Sequence, residues 1–251
     1  MGKLIYAILS NKFDFGKLNK LLSGIKGITG AELSAISFDE ISAVVSEIKK
    51  ADLIADKANA IVFAGVIEIL SQHFTLLPMR FGSMMDSPGA IQKMIEKNYP
   101  EFQNNIQKVE NKSEFGLKIF CDTAKLKAEM MLKSNETIEV SQNTGSTDND
   151  SVFRKYINQK LKAHRLEEML MGYIDSIIEE FNGFMTELNA ERKIKKMTTS
   201  TTIVDAVFLI EKEKKAKLVQ AIKEMQEKHS GLNFILTGPW PPYSFVDITI
   251  K

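Results

Sequence analysis

The sequence predicts an α+β protein: a ferredoxin-like N-terminal domain followed by an α+β C-terminal domain that contains a long, coiled-coil-like helix. Three observations predict it. The first 82 residues change periodicity in the order β-α-β-β-α-β, the split βαβ arrangement that builds an antiparallel sheet with both helices on one face. Residues 134–151 then interrupt the chain with a polar stretch of four acidic residues, no basic ones and no aromatic. Beyond it, apolar residues recur every three or four positions from Leu166 to Leu188 without a proline, the period of a helix.

The elements follow in order. Residues 3–9 (KLIYAIL) form a continuous apolar run of strand length, and Leu18, Leu21 and Leu22 mark a short helix after it. GIKGITG at 24–30 is a turn, because three glycines in seven residues break any regular element. Residues 31–38 and 41–48 are β-rich and split by Asp39 and Glu40, as in a tight antiparallel hairpin. A second helix runs from about Asp56 to His73, with Ile61, Val62, Gly65, Val66, Ile69 and Leu70 on one broad face. TLLPMRFG at 75–82 reads as a strand that Pro78 places at an edge or at an irregularity. Residues 87–111 are helical, capped by Ser87 with Pro88 in the first turn and interrupted at Pro100. The strand at 113–122 places Phe115, Leu117, Ile119 and Cys121 on one face.

The expected domains are therefore 1–122, ferredoxin-like with an added helix and strand, and 123–251. The second begins with a short helix at 123–132 and a flexible surface loop at 134–151, whose composition cannot bury enough to order itself. A helix of 152–191 follows, over ~50 Å long at ~1.5 Å per residue, with the basic run ERKIKKM at its end, where cations offset the helix dipole. A strand at 201–210, a charged amphipathic helix at 211–229, a strand from Leu232, a turn at GPWPPY and a last strand at 244–250 complete the chain.

Composition excludes several function classes. The 251 residues hold 33 Lys and Arg against 32 Asp and Glu, with 14 of each sign in 1–122 and 19 basic against 18 acidic in 123–251. Neither half has the basic excess that draws in nucleic acid by counterion release. One cysteine makes no internal disulfide, and one cysteine with three histidines writes no zinc cluster. No metal or other cofactor is expected, and a reducing cytoplasm fits. The longest apolar run, AIVFAGVI at 60–67, is far shorter than the ~20 residues of a membrane span, and the N-terminus lacks a signal-peptide pattern.

Catalytic constellations are equally absent. His73, His164 and His229 are scattered, Cys121 alternates inward as a small core residue, and Glu167/Glu168 and Glu179/Glu180 point about 100° apart on a helix, as on a solvated face. Arg80 in LPMRFG suits pairing with an internal acid or the end of a helix, the favoured reading, or anchoring a carboxylate of a substrate or partner. The unusual constellation is LTGPWPPYSFV at 236–246, where three of the six prolines and the single tryptophan fall between Pro239 and Pro242. Such a loop is stiff and largely extended. Its Trp240 either plugs the core, the favoured reading, or stands with Tyr243 as a preorganised contact patch.

LTGPWPPYSFV resembles the C-terminal signature of the gas vesicle GvpF/GvpL family, and TLLPMRFGSMM resembles that family's Leu-Pro-x-Arg-Phe-Gly segment. SEFGLKIF is similar to the family's Trp-Gly-Val/Leu-Lys-Val/Leu strand, with Phe115 where tryptophan is common, and KLIYAILS with ISAVVSEI is a weaker match. The helix at 56–73 departs from the family in lacking a histidine near its start. The resemblance implies a non-enzymatic gas vesicle assembly factor, located at the vesicle and in the cytoplasm, that binds the small hydrophobic shell protein and other accessory proteins. It marks Arg80, Phe81, Gly238, Pro239, Trp240, Pro241, Pro242, Tyr243 and Phe245 as motif residues and candidate protein contacts. The competing expectations are a ligand-binding regulatory module built on the ferredoxin-like domain and an enzyme using Arg80 with an acid in a deep pocket.

Overall fold

The computed structural model describes residues 1–11, 15–135, 148–196, 199 and 201–248. It divides the chain into two compact units, residues 1–115 with 209–212 and 238–251, and residues 116–208 with 213–237. The expected boundary at Asp122 and this division differ most at the C-terminus, since 238–251 group with the N-terminal residues.

In the first unit, β1 (Gly2–Ser10), α1 (Phe15–Ser23), β2 (Leu33–Phe38), β3 (Ile41–Ile48), α2 (Lys57–His73) and β4 (Leu76–Pro78) form a sheet of order β2-β3-β1-β4. That is the split βαβ order, with each neighbouring pair antiparallel. Leu4 through Leu9 of the central strand β1 are each 0–1% exposed, which accounts for its unbroken apolar run. The β2–β3 hairpin closes through Asp39, at φ 51°. Tyr6 ties sheet to turn: its hydroxyl accepts from Ile28 N at 3.1 Å and lies 3.1 Å from Ser46 Oγ, while its ring stacks on Phe63 at 4.9 Å. A Cβ on Gly27 would sit 2.4 Å from that hydroxyl, so the turn at 24–30 needs glycine there.

Two expectations change in this unit. The buried face of α2 is Phe63, Val66, Ile67 and Leu70, whereas Ile61, Val62 and Ile69 are 61%, 38% and 37% exposed. The helix is apolar on most sides, and burying the large Phe63 ring turns the opposite side outward. The strand expected at 75–82 stops at Pro78. Met79 N still donates to Tyr6 O, and Ser83 O accepts from Ile5 N, so residues 80–82 bulge off the sheet edge, with Gly82 at φ 88°. The short β5 (Met84–Met85) then rejoins β1. Ser87 caps α3 (Pro88–Lys97) by accepting from Ala90 N, and the interruption near Pro100 separates it from α4 (Tyr99–Val109) at Asn98.

The second sheet is built from β6 (Lys112–Phe120), β7 (Glu191–Lys196), β8 (Thr202–Glu211) and β9 (Asn233–Trp240) in the order β7-β8-β6-β9. Counted from β6, this repeats the strand order of the first sheet. The helices α5 (Thr123–Asn135) and α6 (Asp148–Glu187) fill the first crossover and α7 (Lys215–Lys228) the second. Leu170, Ile174, Ile177, Phe181 and Met185 of α6 are 0–1% exposed, and Phe181 meets Phe208 edge-on at 5.6 Å.

The expected loop at 134–151 is shorter at both ends, because α5 continues to Asn135 and α6 begins at Asp148. Its centre lies outside the described residues. The helix expected at 152–191 ends earlier, at Glu187, and the basic run continues as strand β7 rather than as a helix end. Asn189 stops the helix: it adopts φ 52°, Ala190 N donates to Met185 O at 2.8 Å and Asn189 N to Thr186 O at 3.0 Å. This is a Schellman closure, with asparagine in the left-handed position that usually takes glycine. Asn189→Val is expected to cost about 1–2 kcal/mol, because a β-branched side chain is strained there, and Asn189→Gly close to nothing. Urea unfolding of the two variants checks the ranking.

Candidate functional site

The 236–246 segment is held from below and open above. Strand β9 runs further than expected, to Trp240, through a cis Gly238–Pro239 bond with Gly238 at φ 108°. Pro241 and Pro242 are buried, and the chain turns, Tyr243 N donating to Pro241 O at 2.8 Å and Phe245 N to Pro242 O at 3.2 Å. No strand forms over the described residues of 244–250; Ser244 N donates to the Glu114 carboxylate and Phe245 N to Pro242 O instead of to a ladder.

Three anchors fix the turn. Phe245 is 1% exposed. Lys108 of α4 donates to Phe245 O at 3.1 Å, its ammonium 5.9 Å from that ring's centre. The Glu114 carboxylate accepts from Ser244 N at 2.7 Å and Ser244 Oγ at 2.6 Å. Glu114 and Lys108 are contributions that sequence reasoning misses, since an acid in an alternating strand and a lysine on a helix look like surface residues. Glu114 is only 6% exposed, and its position beside the inward-facing Phe115 is the available signal.

On this base Trp240 is 45% and Tyr243 46% exposed. The favoured reading of Trp240 as a core plug is therefore corrected: Phe245, with buried Pro241 and Pro242, fills the interior, and the indole lies at the surface. Partial burial of Tyr243, with the Glu114 and Glu68 carboxylates adding to it, pushes its pKa up to about 12, so the phenol stays protonated.

Arg80 is exposed in the bulge, and its guanidinium meets no carboxylate among the described residues, so the internal pairing favoured for it does not form. The adjacent Phe81 is half-buried, edge-on to Phe63 at 5.3 Å. The first unit thus presents Arg80, Trp240, Tyr243 and the α2 residues Ile61, Val62 and Ile69 to solvent. These groups suit apolar contact with a protein, with a cation and a phenol as polar handles.

A second cluster joins residues that look unrelated in sequence. Tyr173 Oη lies 3.0 Å from His229 Nδ1, and His229 Nε2 lies 3.1 Å from Glu180 Oε2, which also accepts from Lys228 at 2.9 Å. Burial disfavours the Glu180 charge, but the bonds from Lys228 and His229 outweigh it and hold the carboxyl below its usual range. Glu180 is thus a tether between α6 and α7 rather than a solvated acid. The Cys121 thiol is raised, chiefly by burial and then by Asp122, which disfavours a reactive thiolate. Among the described residues, no three His, Cys, Asp or Glu side chains are grouped to hold a metal ion, and no helix is long and apolar enough to cross a membrane.

Comparison with known proteins adds three findings. The family model described as gas vesicle synthesis protein GvpL/GvpF matches residues 2–247. Two curated relatives from Halobacterium salinarum are similar along nearly their whole length: gas vesicle protein L1, 22% identical with 97% of this chain and 90% of that protein covered, and gas vesicle protein F1, 24% identical with 96% and 94% covered. The crystal structure of the gas vesicle protein GvpF from Anabaena sp. PCC7120 superposes with a TM-score of 0.75 at 22% identity, covering 99% of this chain and 97% of that one. The last match shows a shared fold.

Proposed function

Because the chain belongs to the gas vesicle synthesis protein GvpL/GvpF family, we propose that it works without catalysis, binding the small hydrophobic shell protein and other accessory proteins while vesicles assemble. A gas vesicle accessory role follows from the membership itself. The observation that supports the binding role is the pair Trp240 and Tyr243, half exposed on a turn that Glu114, Lys108 and Phe245 hold fixed. Aromatic side chains held rigid before a partner arrives lose little entropy on contact. Arg80 and Phe81 contribute from the bulge, and Gly238, Pro239, Pro241 and Pro242 set the turn that presents the rings. The protein acts in the cytoplasm and at the growing vesicle.

Co-expression with the shell protein tests the reading. The wild-type chain is expected to co-purify with it, and Trp240→Ala combined with Tyr243→Ala to lose at least about tenfold in apparent affinity at an unchanged circular dichroism spectrum. Failure of the wild-type chain to retain the shell protein, together with normal vesicles in a deletion strain, would sink the proposal.

A further inference from the structure

After a first turn that carries Asp148 and Asp150, helix α6 is divided by charge. Residues 152–166 carry five Lys and Arg and no Asp or Glu, whereas 167–187 carry six Asp and Glu and no Lys or Arg. Helix electrostatics do not ask for this order, since cations are stabilising near the C-terminus and anions near the N-terminus. The two halves also differ in how their charges are met. In the acidic half, Glu167 pairs with Lys127, Glu168 with His164, Asp175 with Lys196 and Glu180 with Lys228. In the basic half, Lys160, Lys162 and Arg165 are exposed and meet no carboxylate among the described residues. Lys160 instead lies over the Tyr156 ring at 5.6 Å.

The basic half also leaves apolar surface open. Tyr156, Ile157 and Leu161 are 54%, 39% and 56% exposed, while Leu170, Ile174, Ile177, Phe181 and Met185 are buried in the unit's core. Ile157 and Leu161 are one turn apart, with Lys160 on one side of their stripe and Arg165 on the other. A narrow apolar stripe with charges along both edges is the layout of a helix–helix seam, in which the flanking charges select the partner. A bilayer surface calls for a broad apolar face with the cations gathered on the opposite side. Phosphate backbones are met by cations and make no use of the aliphatic residues.

We propose that the basic half of α6 docks an acidic amphipathic helix of a partner protein, one whose apolar stripe covers Ile157 and Leu161 and whose Glu or Asp side chains meet Lys160, Lys162 and Arg165. This surface belongs to the second unit and does not depend on the role assigned to Trp240 and Tyr243. The balanced charge of residues 123–251 conceals it, because acids that help cancel these cations, Glu167, Asp175 and Glu180, are already engaged by Lys127, Lys196 and Lys228.

The test uses the full chain and a fluorescein-labelled synthetic helix of a few heptads with Leu at the seam and Glu on both flanks. Anisotropy is expected to show binding that weakens as salt rises. The triple variant Lys160→Glu, Lys162→Glu, Arg165→Glu should bind this peptide at least about tenfold more weakly and bind the matching peptide with Lys flanks in its place. That exchange separates docking from misfolding, since a misfolded arm would gain no new partner. Absence of binding to the Glu-flanked peptide would overturn the proposal, as would equal loss of both peptides. Tighter binding to phosphatidylglycerol vesicles or duplex DNA, or a concentration-dependent dimer abolished by the same triple variant, would also overturn it by assigning the surface to lipid, nucleic acid or a second copy.

Discussion

Phe245→Ala is expected to lower the unfolding free energy by about 3–5 kcal/mol, and Trp240→Ala by no more than about 2 kcal/mol. Ring size alone would reverse that ranking. Phe245 is 1% exposed, and its removal leaves a cavity beneath the turn to which Lys108 and Glu114 are bonded. Trp240 keeps 45% of its surface in water, so its truncation removes partial burial and opens no enclosed void. The two variants should separate in function as well. Trp240→Ala is expected to leave the melting transition cooperative while vesicle assembly fails, and Phe245→Ala to impair assembly in proportion to lost folding. Urea denaturation of both, with vesicle flotation in a complemented deletion strain, measures the pair. Equal stability losses would place the indole in the core and remove it as a contact residue.

Local signals account for most of the first unit. Leu4 to Leu9, the Asp39 turn, the Ser87 cap and the interruption at Pro100 each state their structure within a few residues. Where the reading of α2 fails, the pattern is ambiguous: with apolar residues on most sides, only the partner surface decides that Phe63 faces in and Ile61 out. The C-terminal sheet is hidden for a different reason. Its first crossover spans residues 121–190 and contains two helices, so β6 and β7 do not look like parts of one split βαβ unit, although the strand order repeats that of the first sheet. The end of α6 escapes notice because Asn189 does the work of a glycine, and the basic strand after it has a composition equally suited to a helix terminus.

The site is legible in its residues and not in its exposure. Composition picks out Pro239 to Pro242, but which ring faces water depends on long-range contacts to Glu114 and Lys108, separated from Ser244 and Phe245 by 130 and 137 positions. A concentration of prolines beside one tryptophan makes a core plug the natural expectation. The structure distributes those parts differently, with Pro241, Pro242 and Phe245 inward and the indole outward.

Gly238→Ala is expected to destabilise the protein by roughly 3 kcal/mol or more, the largest effect of any single methyl group added to the turn. Two costs combine. At φ 108° an L side chain is strained by about 1–3 kcal/mol. In addition, the new Cβ would lie 2.8 Å from Glu114 O, a backbone atom with little freedom to withdraw, and 3.1 Å from the Phe115 ring. Gly82 separates the two costs, because it has φ 88° but an added Cβ there would meet no atom within 4 Å, so Gly82→Ala should show only the conformational strain. A difference between the two variants in urea midpoints at equal slope measures the steric part. If Gly238→Ala proved no worse than Gly82→Ala, the close approach of the turn to β6 would be wrong, and with it the anchoring that holds Trp240 and Tyr243 outward. If the predicted gap is found, the turn is a rigid platform, and loss of assembly in Trp240→Ala can be assigned to the missing ring itself.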